Sequence, residues 1–157
     1  MLEKTLGAAT LIGSGAVYTF DFGTLAQGTA SVSASLSLSN LVTGPADTLG
    51  ATFSVGSGPF TLAGFESFNG LEAGGQHVLD VGLDPVTAGL FEQVVDIGLY
   101  GTNASGYRGD IANFEVMLRG RVISTAPVPL PPAAWMFGAA LVALIGRGDR
   151  QRGACDS

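Results

Sequence analysis

The chain has 157 residues, 46% of them hydrophobic, a formal net charge of −6, 24 glycines and one cysteine. This length suits one domain with appendages, and the hydrophobic content is too high for a disordered chain. One cysteine excludes an internal disulfide and a Cys-based metal site. Outside the C-terminal tail there is no basic patch of the kind that nucleic-acid binding requires, so we expect no nucleic-acid partner.

The first sixteen residues allow two interpretations. Lys4 precedes an apolar stretch at 6–17 that has the size of a signal-peptide hydrophobic region, and Ser14-Gly15-Ala16 is a tolerable cleavage site. Glu3 and the interspersed Gly and Thr residues favour instead a first strand, or a start inside a longer protein. We therefore expect residues 1–16 to be either a signal peptide or a first strand.

Alternating patterns predict strands throughout residues 17–124. In 29–40 four apolar residues alternate with serines, which indicates one face in a core and one in water. Further strands are predicted at 17–22, 49–55, 60–62, 77–83, 91–99 and 114–118, separated by Gly, Pro, Asn and Asp turns. About seven strands in roughly a hundred residues predict an all-β, antiparallel β-sandwich.

The segment after residue 124 has a different composition. Four prolines (Pro127, Pro129, Pro131, Pro132) exclude helix interior and central strand from residues 125–132. An uncharged apolar run follows, and we predict a hydrophobic, transmembrane-like helix over 133–146. The run of thirteen residues gives a helix of roughly 20 Å, short of the ~30 Å hydrocarbon core, a gap that bilayer thinning and snorkelling arginines cover in part. A buried C-terminal helix of a soluble domain is the alternative.

The predicted membrane helix has bulky apolar side chains, and the tail at 147–157 is basic. The helix residues are Ala133, Trp135, Met136, Phe137, Leu141, Val142, Leu144 and Ile145. Arg147, Arg150 and Arg152 are expected to hold its cytoplasmic end at the headgroups.

The order of these parts resembles a bacterial sorting signal. Val128-Pro129-Leu130-Pro131, followed here by Pro132, an apolar run and arginines, resembles the VPLPA variant of the PEP-CTERM signals. The resemblance implies recognition by exosortase, a membrane-embedded transpeptidase-like enzyme. It also implies export, a transient anchor in the inner membrane, and delivery to the cell surface or the exopolysaccharide matrix. Pro132 stands where the variant usually has Ala.

The middle region resembles a second family. F-D-F-G-T-L-A-Q-G-T at 20–29, L-S-L-S-N at 36–40 and L-D-P at 83–85 are similar to the choice-of-anchor D and Hydin-like immunoglobulin-like repeats. This resemblance implies a seven-stranded immunoglobulin-like sandwich over residues 17–124. It also implies adhesion or scaffolding without enzymatic chemistry.

The sequence offers little for catalysis. His77 is the one histidine, and no nucleophile elbow or paired-histidine metal spacing accompanies it. We therefore expect no enzyme activity, no cofactor and no metal, and a non-enzymatic surface or matrix protein. The alternatives are a carbohydrate-binding module, with Tyr100, Tyr107 and Arg108 as ligand contacts, or a C-terminal fragment of a larger adhesin.

Overall fold

The structure is a computed structural model that describes residues 1–43 and 47–125, and Met1–Thr125 forms one compact unit. The described residues contain ten strands and no helix. The strands are β1 (Leu2–Gly7), β2 (Thr10–Ser14), β3 (Val17–Ala26), β4 (Val32–Ser39), β5 (Thr48–Val55), β6 (Thr61–Ala63), β7 (Phe68–Leu71), β8 (Gln76–Leu83), β9 (Gly89–Thr102) and β10 (Arg108–Ile123). The predicted sorting motif at 128–132, the helix at 133–146 and the basic tail at 147–157 lie outside the described residues.

The strands form two sheets. The four-stranded sheet has the order β1-β4-β8-β6, and the six-stranded sheet has the order β2-β3-β10-β9-β5-β7. The prediction of an all-β domain is confirmed for the residues that the structure describes. The prediction of a purely antiparallel sandwich is wrong at one pair, because β3 and β10 run parallel. These two strands are far apart in sequence, so no tight hairpin forces them to be antiparallel.

One hydrophobic core fills the space between the two sheets. Side chains that alternate along each strand point into it, and Phe20, Leu36, Leu79 and Val116 are completely buried. Burying one such side chain stabilises the fold by about 1.5–3 kcal/mol. Every strand predicted from residues 17–124 is found, because the core face of each one carries the alternating apolar residues.

The structure contains three strands, β1, β2 and β7, in addition to those predicted from residues 17–124. β1 pairs with β4 in one sheet and β2 pairs with β3 in the other. Leu2, in β1, and Ala9, between the two strands, are buried members of the common core. Residues 2–7 and 10–14, which the sequence left open between a signal peptide and a first strand, therefore occupy strands of both sheets.

The serine face of β4 differs from its prediction. Ser37 and Ser39 were expected to face water, yet both are buried. The central strand β4 has β1 on one side and β8 on the other, so that Ser37 lies between Glu3 and Val78. Larger neighbours on both sides cover a short serine side chain, and a sequence pattern carries no information on those neighbours.

Candidate functional site

A shallow concavity lies on the outer face of the six-stranded sheet. The strand register places its side chains in two rows across β5, β9 and β10. The first row is Ser54, Asp96 and Glu115, and the second is Thr52, Gly98 and Asn113. Together with Ala16 and Val17 at one end, they line a space of about 600 Å³. We call this space the outer-face groove.

Gly98 forms the low point of the outer-face groove. A Cβ atom built at Gly98 would lie 2.8 Å from Thr52 Oγ1 and 3.0 Å from Asn113 Oδ1. Both polar atoms therefore lean over the space that the missing side chain leaves open. A hydroxyl, an amide and the carboxylates of the neighbouring row thus line one depression, and these groups can exchange hydrogen bonds with hydroxyl groups of a ligand.

The charge of the outer-face groove restricts what it can bind. Asp96 and Glu115 are directly opposite each other on neighbouring strands, and like charges in such a position repel. No basic side chain is among the residues that line the groove. The local field therefore disfavours an anionic ligand and favours a neutral or cationic one.

The structure separates the three predicted ligand contacts. Tyr100 and Arg108 form a pair in which the guanidinium carbon lies 3.6 Å from the centre of the tyrosine ring. The Tyr100 hydroxyl donates a hydrogen bond to the Phe68 carbonyl oxygen at 3.0 Å, and the residue is only 6% exposed. The ring that was to contact a ligand is thus covered by its own neighbours.

Tyr107 lies apart from that pair, in the loop between β9 and β10. This loop comprises residues 103–107. Asn103 Oδ1 accepts hydrogen bonds from the backbone N–H of Ser105 and of Tyr107, while Asn103 Nδ2 donates to Asp47. Tyr107 packs its ring against Gly109 and is 56% exposed. Of the three predicted contacts, Tyr107 presents an accessible ring.

His77 serves the packing between the sheets. Its ring stacks on Phe68 of the other sheet, with ring centres 4.1 Å apart. His77 Nε2 lies 2.7 Å from the Gly64 carbonyl oxygen. Because a carbonyl only accepts, Nε2 must donate in this bond, which fixes the ring in place.

Two further findings concern the part of the chain that the structure describes. Within residues 1–43 and 47–125, no three His, Cys, Asp or Glu side chains are grouped closely enough to hold a metal ion. In the same ranges, no helix has the length and apolar character needed to cross a membrane.

No protein-family model matches the sequence, and the comparison with curated proteins finds no match either. Solved structures with a similar course of the chain include SSP-19, an MSP-domain protein of Caenorhabditis elegans (9% identity, TM-score 0.44, covering 68% of this chain and 94% of that one). The ASH/PapD-like domain 7 of human CEP192 has 15% identity and a TM-score of 0.40, over 66% and 82% of the two chains. AggA, the major fimbrial subunit of Escherichia coli, has 10% identity and a TM-score of 0.37, over 77% and 98%. Likenesses of this degree do not bear on function.

Proposed function

We propose that the chain is a non-enzymatic, exported bacterial protein whose immunoglobulin-like β-sandwich is displayed at the cell surface or in the exopolysaccharide matrix. The proposal depends on one observation. The run Val128-Pro129-Leu130-Pro131 is followed by an apolar segment and then by arginines. β10, the last strand of the described residues, ends at Ile123, so this run begins only a few residues after it.

Exosortase is the proposed partner of this signal. In this proposal the proline-rich segment at 127–132 is the spacer between the sandwich and the bilayer, since proline favours extended backbone. The apolar run at 133–145 enters the inner membrane, and Arg147, Arg150 and Arg152 remain on the cytoplasmic side. Processing then releases the sandwich to the surface or the matrix.

The side chains of the described domain support a display role over catalysis. Ser-His-Asp or Cys-His chemistry would have to use His77, and its ring is engaged by Phe68 and by the Gly64 carbonyl. Cys155 follows the apolar run in the sequence, and in the proposed anchoring the membrane segment separates it from the domain.

Cell fractionation tests the sorting proposal. The full chain, with an epitope tag inserted just before Pro127, is expressed in strains with and without exosortase. We expect an inner-membrane precursor in both strains and a shorter, released form only where exosortase is present. The variant Pro129→Ala/Pro131→Ala should stay in the membrane unprocessed. A protein that is cytoplasmic and soluble in both strains would contradict the proposal.

A second candidate function is contact with a neutral polysaccharide of the matrix. The observation that favours it is the set of hydrogen-bonding side chains around Gly98 in the outer-face groove. Polar groups that converge on a depression can bind the hydroxyl groups of a sugar chain.

Retention of the full chain on exopolysaccharide purified from the host tests this second function. Asn113→Ala removes a polar group and Gly98→Ala fills the depression, so both should reduce retention several-fold. Ser33→Ala, on the exposed face of the four-stranded sheet, is the matched control and should bind like the wild type. Equal retention of all four proteins would exclude the groove as the sugar site.

A further inference from the structure

Among the described residues, each of the two sheets ends in two edge strands, β1 and β6 in one and β2 and β7 in the other. An edge strand exposes backbone N–H and C=O groups that can pair with another chain, and proteins usually guard such edges with charges or by keeping them short. β6 has three residues and β7 has four. β1 contains Glu3 and Lys4. Three of the four edges are thus guarded.

β2 is the unguarded edge. It has five residues, Thr10–Ser14, none of them charged. No charged residue occurs in the sequence between Lys4 and Asp21. Ile12, at the centre of β2, is 63% exposed, and Val17, on the same outer face at the start of β3, is 53% exposed. Within residues 1–43 and 47–125, no strand pairs with the free side of β2.

We propose that β2 is a pairing edge and that its partner is β2 of a second copy of this chain, in antiparallel orientation about a two-fold axis. A pair centred on Ile12 sets the two Ile12 side chains against each other. It also places Leu11 opposite Gly13, and Thr10 opposite Ser14. Each Ile12 therefore contacts another apolar side chain, and each Leu11 lies opposite a glycine that leaves room for it. The hydroxyl groups of Thr10 and Ser14 lie opposite each other.

Charge favours this edge as the meeting point of two copies. The chain has a net charge of −6, so two copies repel each other over most of their surfaces. The uncharged stretch between Lys4 and Asp21 is where they can approach without opposing carboxylates. Five residues on each side form a small contact, so we expect a concentration-dependent dimer and not an obligate one.

The pairing requires that residues 1–16 stay in the mature chain. Leu2 and Ala9 are buried in the core, and β1 covers one side of β4. Removal of the segment would take Leu2 and Ala9 out of the core and would uncover one side of β4, which is the physical reason to expect its retention.

Site-directed cross-linking tests the pairing. The full chain is prepared in a nonionic detergent with Cys155→Ser, and a new cysteine is introduced as Ile12→Cys or, for comparison, as Val86→Cys. Val86 lies between β8 and β9 and is 64% exposed, so the two positions are similarly exposed in the native chain. On mild oxidation we expect several-fold more disulfide dimer from Ile12→Cys, because opposite residues of an antiparallel pair lie within disulfide reach.

Sedimentation velocity of the Cys155→Ser chain provides the second measurement. Ile12→Lys should weaken the dimer by about tenfold or more, which corresponds to ~1.4 kcal/mol, whereas Val86→Lys should leave it unchanged. Circular dichroism confirms that both variants are folded. Equal cross-linking of the two cysteine variants, a monomer at every concentration, or a dimer indifferent to Ile12→Lys would each overturn the proposal.

Discussion

The hydroxyl of Tyr100 stabilises the sandwich through one hydrogen bond, to the carbonyl oxygen of Phe68 at 3.0 Å. Tyr100→Phe removes this donor and leaves the carbonyl without it, while the ring stays beneath Arg108. A buried group that loses its partner costs about 1–3 kcal/mol. Because this bond is part-buried, we expect the free energy of unfolding to fall by about 1 kcal/mol, the lower end of that range. This corresponds to a decrease in Tm of roughly 2–8 °C for a domain of this size.

Urea and thermal unfolding of the full chain, followed by circular dichroism, measure this loss. Tyr107→Phe is the matched control, because the Tyr107 side chain is largely exposed and such a substitution changes stability by no more than about 0.5 kcal/mol. Two outcomes would refute the reasoning: a neutral Tyr100→Phe, or a Tyr107→Phe that is equally destabilising. In either case Tyr100 would not be the structural residue of the three predicted ligand contacts.

Three further predictions concern the sandwich. Phe20→Ala empties a completely buried position and should lower the unfolding free energy by about 3–5 kcal/mol; an unchanged urea midpoint would contradict the core assignment. Gly64→Ala should destabilise more than Gly74→Ala, since both have positive φ but only at Gly64 would the new methyl meet the Val78 carbonyl; equal thermal shifts would disprove that clash. Deletion of residues 1–16 should lower the urea midpoint and speed amide exchange in β4, and a wild-type midpoint would show that β1 and β2 lie outside the cooperative unit.

Sequence periodicity predicted the strands of residues 17–124 because burial on one face selects alternate residues. Gln93 illustrates this, since it falls on the core face of β9 and is buried. Its side-chain amide donates to the Gly56 carbonyl and accepts from the Phe60 N–H. A polar residue in a core position is therefore consistent with the pattern when loop backbone groups satisfy it.

Pairing partners and covering side chains could not be predicted in this way. The direction of β10 relative to β3 depends on the whole path of the chain between them, which alternation does not encode. β7 is a short edge strand that contains Asn69 and Gly70, so its apolar signal is weak. Tyr100 lies on the outer face, where the pattern indicates exposure, yet it is buried. Its ring lies against Gly50 and beneath the Arg108 guanidinium.

The parallel pairing of β3 with β10 also determines how the domain would carry a mechanical load. Eight residue pairs connect the two strands, from Val17 beside Glu115 to Ala26 beside Ile123. For a chain held by its C-terminal tail and dragged from its N-terminal side, β1 and β2 bear the tension first. Once they detach, tension acts on Val17 at one end of this ladder and on Ile123 at the other. The strands are then drawn lengthwise past each other, so that all the bonds of the ladder share the force instead of opening one after another. Survival under drag depends on the rate of unfolding, and this ladder would slow it in the direction along which a tethered surface protein is pulled.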